Sequence, residues 1–166
     1  MKDPHFEGTV VVLCQHDENG AVGVVVNRET TIRLGDVLEQ LSIPRAGRVD
    51  APVLWGGPVE PGAGFVVFLG SVPEDEGWNV GDGVAVSPSR DRLAQSLGGE
   101  EAFHLCLGYA GWGPGQLDEE IAQGAWLYCE VARAVILETP VGERYTTALA
   151  HLGLDVETVW MQPVNE

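Results

Sequence analysis

Two β-branched runs, TVVVLC (9–14) and AVGVVVN (21–27), flank QHDENG, whose Asn19-Gly20 pair is the strongest short-range hairpin signal a sequence carries. The chain is therefore predicted to open with an antiparallel hairpin. Neither run alternates cleanly between apolar and polar, the pattern of central strands covered on both faces. Leu34, Val37, Leu38 and Leu41 then recur at helical spacing in TTIRLGDVLEQLSIP, with Thr30 or Thr31 as cap and Pro44 beyond the end. VLW (53–55) and GFVVFLG (64–70) read as strands around GGPVEPGAG. PEDEGWNVGD reads as an exposed acidic loop, and VAVS (84–87) as a short strand.

SPSRDRLAQSLGG predicts a second helix capped by Ser87 or Ser89, with Leu93 and Leu97 on one face and Gly98 free to take the left-handed position at its end. AFHLCLGY (102–109) is a strand that leads into a glycine-rich stretch, LGYAGWGPGQLDEE (107–120). A short helix near 115–123, strands AWLYCEV (125–131) and VILE (135–138), and a last helix in ERYTTALAHLG stopped at Gly153 complete the reading. Helices separating strands after an initial hairpin predict an α/β (α+β) fold, a mixed sheet with helices packed on its faces. The expectation is a single domain over 1–166, with the acidic segment 73–83 as the place where two subdomains would meet.

The charge excludes one function class. Nine Lys or Arg stand against 25 Asp or Glu, a net charge of −16, and residues 61–166 carry four arginines against sixteen acids. Such a surface repels phosphate, whereas tight DNA binding depends on neutralising it, so no direct nucleic-acid contact is expected. MKDPHFEG lacks the apolar core of a signal peptide, and no apolar run approaches a bilayer span, so a cytoplasmic protein without membrane contact is expected. Cys14, Cys106 and Cys129 form an odd, sparse set that suits reduced thiols.

The glycine stretch fails as a phosphate cradle. Gly111-x-Gly113 is followed by Gln116 where a dinucleotide fingerprint needs glycine, and Lys2 is the only lysine in the chain. Asp118, Glu119 and Glu120 also occupy the helix start that an anion would use. Two readings remain: a structural corner anchored by Trp112, and a pocket wall in which Tyr109 and Trp112 offer flat surfaces and Gln116 a neutral donor and acceptor. Cys14-x-His16 and His104-x-Cys106 place thiol and imidazole on one strand face each, a geometry for zinc only if those strands were neighbours; packed core thiols are the plainer reading, and no metal or cofactor is assigned. Cys14 with His16 is the one arrangement left for thiol chemistry.

Taken together, DPHFEGTVVVL with the following His16, GAVGVVVNR, GGPV, GFVV, the serine-rich opening of the 89–97 helix, LGYAGWGPGQLDEE with AWL, and TALAHLGLD resemble the YqgE/AlgH family of small bacterial proteins over nearly the whole chain. The resemblance implies a compact α/β fold with a mixed sheet flanked by helices. It implies no settled activity; some members are labelled transcriptional regulators, from a role in alginate control. Three departures stand out. Family members usually carry a strand ahead of Asp-Pro, whereas this chain begins Met1-Lys2-Asp3-Pro4; Phe68 stands where histidine is frequent; and Tyr145 stands where tryptophan is common.

The expected function is thus binding or regulation through a small ligand or a protein partner. The candidate surface comprises Asn27, Arg28, Gly56, Gly57, Tyr109, Trp112, Gly113 and Gln116, where bare backbone and unusual polar residues cluster. The alternative is a thiol-dependent enzyme or redox protein using Cys14 with His16.

Overall fold

The computed structural model describes residues 7–44 and 51–152. Its strands are β1 (Val11–Asp17), β2 (Gly20–Val25), β3 (Glu29–Arg33), β4 (Pro52–Trp55), β5 (Val59–Leu69), β6 (Trp78–Gly81), β7 (Val84–Ser87) and β8 (Phe103–Trp112); its helices are α1 (Leu34–Gln40), α2 (Arg90–Gly98), α3 (Gln116–Ala122) and α4 (Arg144–His151). Among the described residues the strands form one sheet in the order β1-β2-β8-β5-β7-β6, with β3 paired to β4 and β4 paired to β8. All ladders are antiparallel except β4–β8, which makes the sheet mixed. The sheet curls almost into a barrel, bringing β1 alongside β6. The expected α+β class is thus the observed one.

Alternation along β5 explains why both faces must be covered. Phe65 and Val67 enter one core with Val24, Leu54, Cys106, Ile136 and Leu137, while Val66 and Phe68 enter a second with Leu34, Leu38, Leu93 and Leu97. Helices α1 and α2 close the second face. Ser89 caps α2 by accepting from the Arg92 amide, as the serine cluster predicts. Phe68 is buried, and the Arg92 guanidinium lies 4.3 Å from its ring centroid.

Several elements differ from the sequence reading for identifiable reasons. The hairpin forms, but Asp17 pairs with Gly20, so Glu18-Asn19 is its turn, and Gly20 opens β2 at φ +132 where a Cβ would collide with the Trp112 carbonyl. Only β2 is central; β1 has one ladder partner and its burial falls away toward the turn. Thr30 and Thr31 do not cap α1. They belong to β3, where the Thr30 hydroxyl donates to the Val53 carbonyl, and Arg33 precedes the helix without a side-chain cap.

The acidic loop contains a hairpin instead. Gly81 pairs with Val84 around Asp82 (φ +50) and Gly83 (φ +74), the two positive φ values that a type I′ turn requires. Helix α2 ends at Gly98 without a left-handed residue, since Gly99 is extended there. Residues 125–131 form no strand, and Ala134–Glu138 is a buried π-helical turn rather than the strand its apolar run suggests. The stop at Gly153 and the tail beyond it, like residues 1–6, lie outside the described residues.

Candidate functional site

The candidate residues fall into two groups on β8. At one end, the GGPV loop is pressed backbone-to-backbone against the strand: the Gly56 amide donates to the Leu107 carbonyl at 2.7 Å, and the Val25 amide donates to the Gly56 carbonyl at 2.8 Å. A Cβ on Gly56 would meet the Gly108 carbonyl, and one on Gly57 (φ +150) the Tyr109 carbonyl. These glycines are needed for close approach of chain to chain. Asn27 serves the same framework; its Oδ1 accepts from the Val10 amide at 2.8 Å and its Nδ2 donates to the Gly8 carbonyl at 2.9 Å. Arg28 Nη2 donates to the Glu7 carbonyl. Together, Asn27 and Arg28 hold the incoming chain beside β2.

Tyr109 stands between the groups. Its ring meets Phe65 edge-on at 5.8 Å. Burial, then the charge and hydrogen bond of Glu60, push its hydroxyl pKa above the ordinary value. Glu60 itself has φ +46, in the left-handed region, at a bulge where β5 skips register against β8.

The second group is the corner. Strand β8 runs through Tyr109 to Trp112, so only Gly113-Pro114-Gly115 turns the chain before α3. Gly115, at φ +72, sits just ahead of the helix. Gln116 closes the corner locally: its Oε1 accepts from the Gly113 amide at 2.9 Å and its Nε2 donates to Glu120 at 2.9 Å. Glu120 Oε1 accepts from both indoles, Trp112 at 3.2 Å and Trp126 at 2.9 Å, whose rings meet edge-on at 5.7 Å. Burial pushes the Glu120 carboxyl up, but hydrogen bonds from Trp126, Gln116 and Trp112 outweigh it and hold it below its ordinary value.

Val59 pairs with Tyr109 and Ala21 with Trp112, and from Gly108 to Trp112 the strand advances roughly 13 Å. Gly56, Gly57, Asn27 and Arg28 thus lie around one stretch of β8, and Trp112, Gly113 and Gln116 around another.

The thiols and histidines separate likewise. Exposed His16 reaches Asp118 at 3.0 Å, linking the first hairpin to α3. Cys14 lies at an irregularity in β1, donates weakly to the Val12 carbonyl, and is pushed up to about 12 by burial. Cys106 is buried in the core and likewise pushed up to about 12, chiefly by desolvation. His104 is bound to Arg144 instead. Among the described residues no group of three or more His, Cys, Asp or Glu is placed to hold a metal ion.

Two participants escaped the sequence reading. Glu120 was legible, because Gln116 and Glu120 fall at i and i+4 behind Trp112. Arg144 was not: arginine is a surface residue by default, yet here it is 2% exposed, donating to Thr139 and Val26 carbonyls at 2.8 and 2.7 Å.

A curled mixed sheet with helices on its faces, cross-braced at glycine contacts and at an indole–carboxylate corner, defines a small α+β domain. The model of the AlgH-like family matches residues 1–157, and the chain belongs to that family. It is 42% identical over 164 residues to a UPF0301 protein of Photobacterium profundum, covering 93% of this chain and 87% of that one. A UPF0301 protein of Rhodospirillum rubrum is 42% identical over 159 residues, covering 93% and 83%. The solution structure of the AlgH protein from Pseudomonas aeruginosa superposes with a TM-score of 0.78 at 36% identity, covering all of this chain (100%) and 90% of that one. A Corynebacterium diphtheriae protein shares the fold at a TM-score of 0.67 and 18% identity, covering 86% and 76%.

Proposed function

We propose that this protein is a regulatory binding protein that engages a protein partner, without catalysis and without direct contact to DNA. The observation that carries the reading is where the reactive groups sit. The half-buried Cys14 thiol and the buried Cys106 thiol are both pushed up to about 12 by desolvation, His104 is bound inside the core, and the polar atoms of Asn27 and Gln116 are spent on the chain's own backbone and Glu120. A thiol in that state has almost no nucleophilic thiolate near neutral pH, which counts against the Cys14–His16 alternative. The net charge of −16 favours basic protein surfaces over nucleic-acid phosphate. A small ligand beside the outward Tyr109–Glu60 pair is the competing reading.

The test is retention of a discrete protein partner by the tagged full chain, reproduced with purified components and weakening steeply as salt rises. A metabolite screen by thermal shift runs beside it. A metabolite that stabilises the wild-type chain but not a Tyr109→Ala variant, with no partner protein retained, would replace this reading by the small-ligand one.

A further inference from the structure

The segment joining α3 to the π-helical turn is tied at both ends and bare between them. At its start Ala125 donates to the Glu120 carbonyl at 2.8 Å and the Trp126 indole is held by the Glu120 carboxylate. At its end Val131 packs into the core beside Gly81 of β6, and the Arg133 amide donates to Asp82 at 2.9 Å, on the type I′ turn. Between these ties Leu127 is 53% exposed, Tyr128 is 65% exposed, and Cys129 and Glu130 are exposed as well. Among the described residues, Leu127–Glu130 make no backbone hydrogen bond.

Leu, Tyr, Cys and Glu in an AWLYCEV context form a strand-prone sequence without a strand partner. Two adjacent large apolar side chains in water, over unpaired backbone, match what an added strand needs: main-chain groups for affinity and side chains for selectivity. Glu130 lies on the segment, and Asp118 and Glu119 are exposed on the helix that feeds it. A second copy of the chain would bring −16 against −16. The complementary occupant is therefore basic.

We infer that Leu127–Glu130 is a docking strand for a basic, extended segment of a partner protein, whose apolar side chains pack on Leu127 on one face and whose basic side chains meet Tyr128 and Glu130 on the other, while its backbone pairs with the open amides and carbonyls. This site rests on the protein-binding reading and gives it a location.

The probe is a fluorescein-labelled peptide alternating lysine with valine, compared with its glutamate–valine counterpart, by anisotropy with the full chain at low and high salt. The lysine peptide is expected to bind, more weakly at high salt, and the glutamate peptide not to bind. The double substitution Leu127→Ser/Tyr128→Ser, on exposed side chains that leave the fold intact, should weaken binding about tenfold or more. Glu130→Lys should shift preference toward the glutamate peptide, and amide exchange should slow at 127–130 in the complex.

Failure of the lysine peptide to bind, equal binding by the double variant, or protection elsewhere overturns the site, as does a dimer of the wild-type chain that the double variant abolishes. A partner protein that binds wild type and double variant equally removes the site and leaves the protein-binding reading standing; no retained partner at all removes both.

Discussion

Arg144 Nη2 lies 2.7 Å from His104 Nε2, so a permanently charged guanidinium, itself 2% exposed, donates to a histidine held neutral inside the core. Because arginine has no acceptor, Nε2 must accept and Nδ1 must carry the proton. That Nδ1 is buried without a hydrogen-bond partner. The pair fastens the start of α4 to β8, and the bond to the Val26 carbonyl extends the tie past β2.

Protonating His104 places a second positive charge against Arg144, and the sign of the pH dependence follows. Desolvation first, then the Arg144 charge, lowers its pKa from 6.5 to about 4. Between those values the unfolded chain binds the proton and the folded chain does not, so this stability is full above about pH 6.5 and is lost as pH falls toward about 4. The loss is roughly 3 kcal/mol. Urea unfolding at stepped pH should show the decline, and His104→Gln, which keeps an acceptor for Arg144 without titrating, should flatten it. A slope unchanged in that variant would refute the assignment.

Removing the guanidinium should cost more than an ordinary surface substitution. Arg144→Leu leaves the Val26 and Thr139 carbonyls and His104 Nε2 without their donor, and buried orphaned acceptors cost about 1 to 3 kcal/mol each. Relaxation and water entry reduce the sum, so a loss of about 3 kcal/mol is expected in chemical denaturation. Arg144→Lys keeps the charge but not the fork and should fall between.

The fold was largely legible because its strong signals were local. Alternation along β5, the serine cap of α2, the stripe of α1 and the hairpin of β1 and β2 each rest on a few neighbouring residues. Where the reading failed, the deciding contact was distant or absent. Residues 125–131 have strand-prone composition but no ladder partner, and Thr30 does not cap α1 because it lies in β3, where its hydroxyl donates to the Val53 carbonyl and accepts from the Ile32 amide. Asp82-Gly83 was the better hairpin signal, hidden in a stretch whose acids suggested only exposure. The candidate surface was read from a cluster of glycines and polar residues, but sequence alone did not reveal that these residues divide between two stretches of β8, or that close packing of GGPV on the strand occupies much of that bare backbone.

Gly57→Ala should be severe and Gly62→Ala nearly silent. A Cβ on Gly57 runs into the Tyr109 backbone at φ +150, whereas nothing lies within 4 Å of one on Gly62. Backbone cannot swing aside as a side-chain tip can, so a loss of about 3 kcal/mol or insoluble expression is expected for the first. The second should melt within a degree or two of wild type, reflecting a change under about 0.5 kcal/mol. Comparable melting of both would remove close approach as the reason for the GGPV glycines.

Thiol accessibility separates the binding reading from the Cys14 alternative. Cys129 is exposed, while Cys14 and Cys106 are pushed up to about 12 by burial. Iodoacetamide near neutral pH should add one label to the native chain, at Cys129, and label all three cysteines in urea. Rapid native labelling of Cys14, located by peptide mass, would restore the thiol-dependent alternative.

Glu120 joins the corner to the docking segment, so its loss should be read locally as well as globally. In Glu120→Ala both indole N–H groups and the Gln116 amide lose their common acceptor. The carboxylate is partly solvated, which places the cost at roughly 2 kcal/mol, toward the low end for three bonds to a charged group. Trp112 is 5% exposed and also packed in a core with Leu117, so its emission should shift little; Trp126 is only half-buried and should move toward water. Fluorescence of a Trp126→Phe control assigns the red shift, and hydrogen exchange should quicken at 125–131 while β8 stays protected. If exchange quickened across the sheet instead, Glu120 would be supporting the whole fold rather than fastening one segment to its corner.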